Sequence, residues 1–201
     1  MIDHFAHKAN DWDQPEKIRM SEKFVEELMK LVDIEPQWKA FEIGAGTGLV
    51  GLQLLPMLKS CVFEDTSEAM LDVLRTKVTG LSNVEILHGE VSEYTRPDID
   101  LIISNMAFHH IPDIAATLHH LHTITTSGAV VVVSDLRAED GSFHQFEPIP
   151  HRGFDAENLT AIFREAGFQV EVLKTYNILH KKQPSGTIGD YEQFILKACR
   201  L

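Results

Sequence analysis

The chain has 201 residues, of which 44% are hydrophobic and 24% are charged, values that suit one soluble globular domain. Its formal net charge of −12 argues against a nucleic-acid substrate, because phosphates need a basic surface. No apolar run approaches the length of about 18 residues that crosses a bilayer, so we expect no membrane partner. The two cysteines stand alone and the N-terminal residues are polar and acidic, which favours a cytoplasmic protein without a disulfide framework or signal peptide.

The first 35 residues are expected to form a helical cap or lid, followed by a single domain over residues 36–201. Apolar residues between Glu16 and Val32 recur at helical spacing, which predicts a helix packed on the core. The earlier segment, Phe5 to Asp13, is less regular and carries Trp12. It is interpreted either as a lid that folds over a ligand or as a plug at the edge of the core.

The stretch Phe41–Gly51 reads F-E-I-G-A-G-T-G-L-V-G and combines a short apolar strand, a glycine-rich turn and the start of a helix. Glycines at positions 44, 46 and 48 allow a ligand to approach the backbone, because no Cβ stands in the way. The first turn of a helix also offers free N–H groups. The pattern therefore predicts a cofactor site at this turn.

Strands and helices alternate along the rest of the chain. Predicted strands cover residues 61–64, 84–87, 100–104 and 129–133, with helices between them and a later helix capped by Asp155. Two final strands, 170–173 and 194–196, are joined through a polar turn and are expected to pair antiparallel at the sheet edge. These units predict a three-layer, doubly wound α/β fold whose sheet is mostly parallel, with an antiparallel edge strand.

Two kinds of cofactor are compatible with the glycine turn. Residues 46–51 match G-x-G-x-x-G, and Asp65 follows at a distance suited to an acid that bonds ribose hydroxyls, so an NAD(P)-dependent oxidoreductase is one alternative. Glu42 disfavours a dinucleotide, because a carboxylate beside the turn repels a pyrophosphate. It favours instead a ligand that carries an ammonium and a sulfonium. A non-catalytic cofactor-binding protein on the same fold is a further alternative.

Four spaced blocks carry a resemblance to a known family. They are E-I-G-A-G-T-G at 42–48, V-F-E-D-T-S-E-A-M-L at 62–71, G-E-V at 89–91 and I-D-L-I-I-S-N-M-A-F-H-H-I-P-D at 99–113. Through them the chain resembles, from residue 38 to its C-terminus, the class I S-adenosylmethionine-dependent methyltransferases, whose Rossmann-like sheet has seven strands. The resemblance implies a methyltransferase (EC 2.1.1.-) with S-adenosylmethionine as cofactor and S-adenosylhomocysteine as product. The segment after residue 138 is similar to a subset of small bacterial methyltransferases of unassigned substrate.

The resemblance also implies which positions hold the cofactor. Glu42 is expected to hold the methionine ammonium side, and Asp65 is expected to accept both ribose hydroxyls. Thr66 and Met70 are expected to flank the adenine. The remaining positions are assigned by their expected neighbours: Gly44, Ala45 and Gly46 to the methionyl part, Glu90 and Val91 to the adenine ring, and Ser104 and Asn105 to the transferable methyl.

The long loop after the fifth predicted strand holds the predicted catalytic residues, His144 and His151. Methyl transfer is an in-line displacement that depends mainly on alignment, but an acceptor that loses a proton also needs a base. The alternative for His151 is that it orders the loop by bonding backbone. The acceptor is expected to be a small molecule enclosed by residues 1–35 and 136–155, whereas the oligomeric state is left open.

The other histidines receive weaker assignments. His109 and His110 follow the fourth predicted strand and, by the resemblance, are structural or line the substrate pocket. The pattern H-H-x-H at 119–122 suggests a metal site, but no carboxylate or cysteine converges on it in the sequence. These three residues are expected to be surface or core residues, and no metal site is predicted.

Overall fold

The computed structural model describes residues 6–145 and 149–201, so Phe5 lies outside the described residues. The strands are β1 (Lys39–Ile43), β2 (Ser60–Asp65), β3 (Val84–His88), β4 (Ile99–Asn105), β5 (Thr125–Leu136), β6 (Phe168–Lys182) and β7 (Ile188–Arg200). The α-helices are α1 (Pro15–Leu31), α2 (Gly51–Leu54), α3 (Glu68–Lys77), α4 (Ile114–Ile124) and α5 (Ala156–Glu165). Short 3-10 helices occupy Ala9–Asp11, Leu55–Met57, Val91–Glu93 and Phe108–His110.

The seven strands form one sheet in the order β3-β2-β1-β4-β5-β7-β6. Strands β1 to β5 pair in parallel, whereas β7 runs antiparallel to both β5 and β6. Most of the parallel strands are connected through helices, because a parallel crossover needs a long connection. The prediction of a mostly parallel α/β sheet with antiparallel pairing at one edge is therefore confirmed, and the implied strand number of seven is correct.

Apolar side chains cover both faces of the sheet. Helices α4 and α5 pack with Phe41 of β1 in one core cluster. Helices α1, α2 and α3 pack with Ala40 in the other, to which α1 contributes Phe24 and Leu28. Because successive side chains of a strand point to opposite faces, Glu42 lies on the same face as Ala40. The single acid of β1 is therefore directed toward the layer that contains the glycine turn and α2.

Local sequence explains where the helices begin and end. The side chains of Ser67, Asp113 and Asp155 cap α3, α4 and α5, each by accepting the N–H of the residue three positions later. After α5 the chain turns at Gly167, whose φ of +90° is a conformation that suits glycine. Among the described residues, none of the helices is long and apolar enough to cross a bilayer.

Two elements differ from their sequence-based expectation. The helix expected after the glycine turn is reduced to the four residues of α2, after which Pro56 lies in a 3-10 helix. Strands β6 and β7 extend well beyond the predicted 170–173 and 194–196. Their outer part pairs only within the β6–β7 hairpin and is largely exposed, so the hydrophobic periodicity that indicates a buried strand is absent there.

Candidate active site

A cavity of about 620 Å³ lies at the carboxyl ends of β1, β2 and β4. This volume is within the range of about 300–1,000 Å³ that is usual for pockets that bind small molecules and cofactors. The strand order reverses between β1 and β4, which is where open α/β sheets bind their ligands. Two segments distant in sequence complete the lining: residues 12–21 and the pair Phe143–His144.

The glycine turn forms one wall of this cavity. Gly44 has a φ of +64° and packs so tightly that a Cβ would collide with the Ala107 side chain. Gly46 has a φ of +55°, yet the nearest atom to a Cβ built there would be Nε1 of Trp12, at 3.9 Å. The turn is therefore tightly packed at Gly44, against Ala107 after β4. It is open at Gly46, where a ligand can approach the backbone.

Glu42 lies at the bottom of the cavity and is 3% exposed. Its Oε2 accepts the N–H of Gly51 at 3.0 Å, which connects β1 to the first residue of α2. Burial raises the pKa of Glu42 to about 8, with the nearby charge of Asp65 as a smaller contribution. The carboxyl therefore keeps its proton at neutral pH in the free protein, and a cationic ligand beside it would favour the ionised form.

A second buried acid, Glu64, was not singled out by the sequence reasoning. It lines the cavity, is 3% exposed, and its Oε2 accepts the N–H of Gly44 at 3.2 Å. Burial raises the pKa of the Glu64 carboxyl well above its usual range, and the charge of Asp65 adds to this effect. The signal was available, because an acid within the apolar strand Cys61–Glu64 is as costly as Glu42 within β1.

Asp65 links the glycine turn to the start of α3. Its Oδ2 accepts the N–H of Gly46 at 2.7 Å, and its Oδ1 accepts the N–H of Ser67 at 2.8 Å. The N-terminal cap of α3 is Ser67, whose hydroxyl accepts the N–H of Met70. Asp65 also lines the cavity, so its carboxylate is placed where ligand hydroxyls can reach it.

Most of the other predicted cofactor residues also line the cavity: Gly44, Ala45, Gly46, Thr66, Met70, Glu90, Val91 and Asn105. Ser104 does not line it among the described residues; it is buried in the sheet and donates its hydroxyl hydrogen to the carbonyl of Ile43. Met106, immediately after β4, has a φ of +57°, an uncommon conformation for a residue other than glycine. Such strain is often found where a backbone is shaped around a ligand.

The two predicted catalytic histidines occupy different places. His144 lines the cavity, as do His109 and His110. His151 is not part of the described lining; its Nε2 lies 2.9 Å from the carbonyl oxygen of Ile111. This contact favours the alternative in which His151 orders the loop by bonding backbone.

Sequence reasoning did not find the partner of His109. This residue is 1% exposed, and its Nδ1 lies 2.7 Å from Oδ1 of the fully buried Asp135. Asp135 also accepts the N–H groups of His109 and Leu136. In a neutral imidazole, this contact favours the tautomer with the proton on Nδ1 and the lone pair on Nε2. The two residues come from the ends of β4 and β5, and no local sequence motif joins them.

The N-terminal segment lies against the glycine turn. Trp12, Lys17 and neighbouring residues line the cavity. The carboxylate of Asp13 accepts the hydroxyl hydrogen of Thr47 at 2.5 Å and lies 2.6 Å from Nζ of Lys77. Lys77 also donates to the backbone carbonyl of Thr47. Polar contacts therefore hold this segment at the mouth of the cavity.

Comparison with known proteins places this geometry in context. Residues 40–128 match the family model of the methyltransferase domain. An uncharacterized methyltransferase of Schizosaccharomyces pombe is 24% identical over 161 residues, 68% of this chain and 57% of that protein. A probable ribosomal RNA small subunit methyltransferase A of Methanosarcina mazei is 25% identical over 85 residues, 42% of this chain and 31% of that protein. The chain spans between 49% and 63% of the length of the first curated relatives it matches.

Solved structures share the fold. A putative methyltransferase of Haloferax volcanii, solved with the methyltransferase activator Trm112, has a TM-score of 0.83 at 16% identity, covering 99% of this chain and 98% of its own. An S-adenosylmethionine-dependent methyltransferase of Aquifex aeolicus has a TM-score of 0.71 at 20% identity, covering 98% of each chain. The fold and the cavity define a Rossmann-like methyltransferase architecture. The match of residues 40–128 to the methyltransferase domain agrees with the resemblance to the class I S-adenosylmethionine-dependent methyltransferases.

Proposed function

We propose that this protein transfers the methyl group of S-adenosylmethionine to a small-molecule acceptor bound beside His109 and His144. The observation that carries the proposal is one continuous cavity with two chemically different ends. We define the cofactor end by the glycine turn and the carboxyl groups of Glu42, Glu64, Asp65 and Glu90, and the acceptor end by the imidazoles of His109, His110 and His144. A cationic cofactor and an acceptor that must lose a proton need these two environments side by side.

The acidic end suits S-adenosylmethionine better than a dinucleotide. Glu42 and Glu64 are buried beside the turn, where the ammonium and sulfonium of S-adenosylmethionine would favour their ionised forms, whereas a pyrophosphate would gain no such attraction. Asp65 lines the cavity and would hold the ribose hydroxyls, because a carboxylate can accept two hydroxyl donors. Thr66, Met70, Glu90 and Val91 would surround the adenine. The cofactor supplies a methyl group on a good leaving group, and the chain supplies alignment and exclusion of water.

The imidazole end would position the acceptor and remove its proton. His144 is the proposed catalytic residue, because it lines the cavity and comes from the loop after β5. His109 presents a lone pair at Nε2, since Asp135 holds its other nitrogen. His151 is proposed to position the loop through its contact with the Ile111 carbonyl. The N-terminal segment around Trp12 would act as a lid that excludes water.

A small-molecule acceptor is supported by the chain's charge and by the limits of the RNA methyltransferase likeness. The net charge of −12 disfavours a polyanionic substrate. The likeness to the ribosomal RNA methyltransferase covers only 42% of this chain. A cavity of about 620 Å³ has room for a cofactor and a compact acceptor.

Two experiments test the proposal. Titration calorimetry with S-adenosylhomocysteine and with NAD should show binding of the first alone, and binding of NAD alone would overturn the proposed cofactor. Methyl-labelled cofactor is then incubated with separate small-metabolite, protein and RNA fractions. We expect label in the small-metabolite fraction, whereas label confined to RNA or protein would contradict the small-molecule acceptor. Cofactor binding without transfer to any fraction would favour the non-catalytic alternative.

A further inference from the structure

Three histidines gather at the acceptor end of the cavity: His109, His110 and His144. The ring centroid of His109 lies 4.1 Å from that of His110 and 4.6 Å from that of His144. One ring nitrogen from each residue lies within 4.8 Å of the others. Each residue also lines the cavity. The cluster thus brings together three nitrogen ligands beside a space that a substrate can enter.

His109 has the features of a metal ligand. It is 1% exposed, and its Nε2 has no hydrogen-bond partner among the described residues. A buried polar atom normally has a partner, so this nitrogen requires an explanation. Its other nitrogen is held at 2.7 Å by Asp135, as in the carboxylate–histidine–metal arrangements that orient a metal-binding imidazole. The contact directs the lone pair of Nε2 away from Asp135.

We propose that His109, His110 and His144 bind a divalent metal ion of the zinc class, with Asp135 orienting His109. Three neutral imidazoles suit zinc, and such sites commonly leave a fourth position for water or substrate. The sequence predicted no metal site, because its only dense histidine pattern was H-H-x-H on α4. There, His119 contacts the Ala115 carbonyl, His120 contacts the Tyr94 carbonyl, and His122 packs on Phe168.

The metal site also narrows the acceptor class, an extension that rests on the proposed methyl transfer. A ligand at the open metal position that faces the cavity would be a thiol or hydroxyl, whose pKa falls on coordination. The acceptor proton leaves to solvent, and the acceptor lone pair forms the new bond to the methyl carbon. The carbon–sulfur bond of the sulfonium breaks, and its electron pair stays on sulfur. His144 then acts as a metal ligand rather than as a free base.

The test uses the full chain after treatment with a chelator. Co²⁺ is titrated while visible absorption is recorded, and Zn²⁺ stoichiometry is then measured by elemental analysis. We expect one ion per chain, with a cobalt spectrum of low coordination number. His110→Ala and His144→Ala should weaken binding by about 100-fold or more, since even losing a residue that only orients a ligand costs about 10- to 100-fold. Asp135→Asn should weaken it by about 10-fold.

His119→Ala is the matched control, because it removes an exposed imidazole of α4 and leaves the cluster intact. Circular dichroism and S-adenosylhomocysteine binding are measured on every variant to verify folding. Failure to bind one ion per chain, or equal affinity in His119→Ala and His144→Ala, overturns the metal site. If S-adenosylhomocysteine still binds and methyl transfer still occurs without metal, the proposed function stands and the metal inference alone fails.

Discussion

The two ends of the cavity are lined by different kinds of side chain, which are held in place in different ways. At the cofactor end, Glu42, Glu64 and Asp65 each accept a backbone N–H from the segment Gly44–Gly51. At the acceptor end, His109 is held by the single carboxylate of Asp135. The first end is thus built from acids that hold the backbone of the glycine turn, and the second from the adjacent His109 and His110, which meet His144 and Asp135 through the tertiary fold.

This difference affects charge as well as geometry. Burial raises the pKa of Glu42 to about 8 and that of Glu64 well above its usual range. The cofactor end therefore contains protonated acids that ionise when a cation binds beside them. The acceptor end instead offers a lone pair on the buried Nε2 of His109. Substitutions at one end should therefore change cofactor affinity, and substitutions at the other should change turnover.

The largest effect should come from the acceptor end. His144→Ala should lower methyl transfer by about 100-fold or more, because it removes either a proton-accepting group, whose loss typically costs about 10²- to 10⁴-fold, or a ligand of the proposed metal ion. The affinity for S-adenosylhomocysteine should change less than about twofold. His151→Ala should lower transfer by a smaller factor, since its Nε2 contacts the Ile111 carbonyl and His151 itself is not part of the described cavity lining. Turnover with labelled cofactor and calorimetry measure the two quantities, and unchanged turnover in His144→Ala would remove its catalytic role.

Asp65→Ala tests the opposite end. It should weaken S-adenosylhomocysteine binding by at least about tenfold, because hydrogen bonds to a charged group contribute about 1.5–3 kcal/mol each. It also removes the acceptor of the Gly46 and Ser67 N–H groups. Titration calorimetry measures the change. Asp72→Ala, which removes an exposed acid of α3, is the control and should bind normally. Equal affinities in the two variants would show that Asp65 does not hold the ribose.

The same contrast explains how much the sequence could predict. The glycine turn, Glu42 and Asp65 were recognisable because their spacing along the chain is local and each block has a physical reason. The alternation of strands and helices predicted the sheet for a similar reason. Ser104 is an exception, because alternate residues of a strand point to opposite faces, and Asn105 rather than Ser104 lines the cavity.

The sequence indicated His109, His110 and His144 as residues near the substrate, but it could not predict the contacts between them or with Asp135. His109 and Asp135 meet because β4 and β5 are neighbours in the sheet, and His144 joins them through a loop whose path has no periodic signal. Glu64 is a different case. The apolar strand around Glu64 indicates that it is buried. It stands next to Asp65, however, and only Asp65 occupies a position at which the sequence pattern implies a ligand contact. Contacts formed through tertiary structure, such as that of His109 with Asp135, and the separate roles of neighbouring acids, such as Glu64 and Asp65, are thus difficult to predict from sequence.

Glu42→Gln should weaken S-adenosylhomocysteine binding by about tenfold, because the neutral amide no longer attracts the ammonium. In the native protein, the affinity for S-adenosylhomocysteine should rise from pH 6.5 to pH 8. The ligand favours the ionised form of Glu42, whose pKa is about 8, so at lower pH it must first displace the proton of that carboxyl. Calorimetry at several pH values measures this slope. We expect a flatter slope in Glu42→Gln, and an unchanged slope would assign it to another group.

The same variant should stabilise the free protein. The folded-state pKa of Glu42, about 8, lies above its ordinary value of 4.5, so the native state binds more protons than the unfolded state between these pH values. Native stability therefore falls as pH rises through this window. At pH 8, Glu42→Gln should raise Tm by about 10 °C, since a carboxyl with a pKa of about 8 when folded and 4.5 when unfolded costs roughly 4 kcal/mol of stability at this pH, and each kcal/mol shifts Tm by about 2–4 °C for a chain of this size. At pH 5 the difference should be small, and a lower Tm at both pH values would contradict this account.

The smallest effect concerns the mouth of the cavity, where Asp13 contacts Thr47 and Lys77. The Asp13 side chain is 35% exposed, so its ion pair is worth at most about 1 kcal/mol, or about fivefold in a rate. If the segment is a lid, Asp13→Ala should release S-adenosylhomocysteine up to about fivefold faster, measured by stopped-flow tryptophan fluorescence. Asp11→Ala, an exposed acid of the same segment, should dissociate at the native rate. If the segment is instead a plug at the core edge, Asp13→Ala should lower Tm and leave the dissociation rate unchanged.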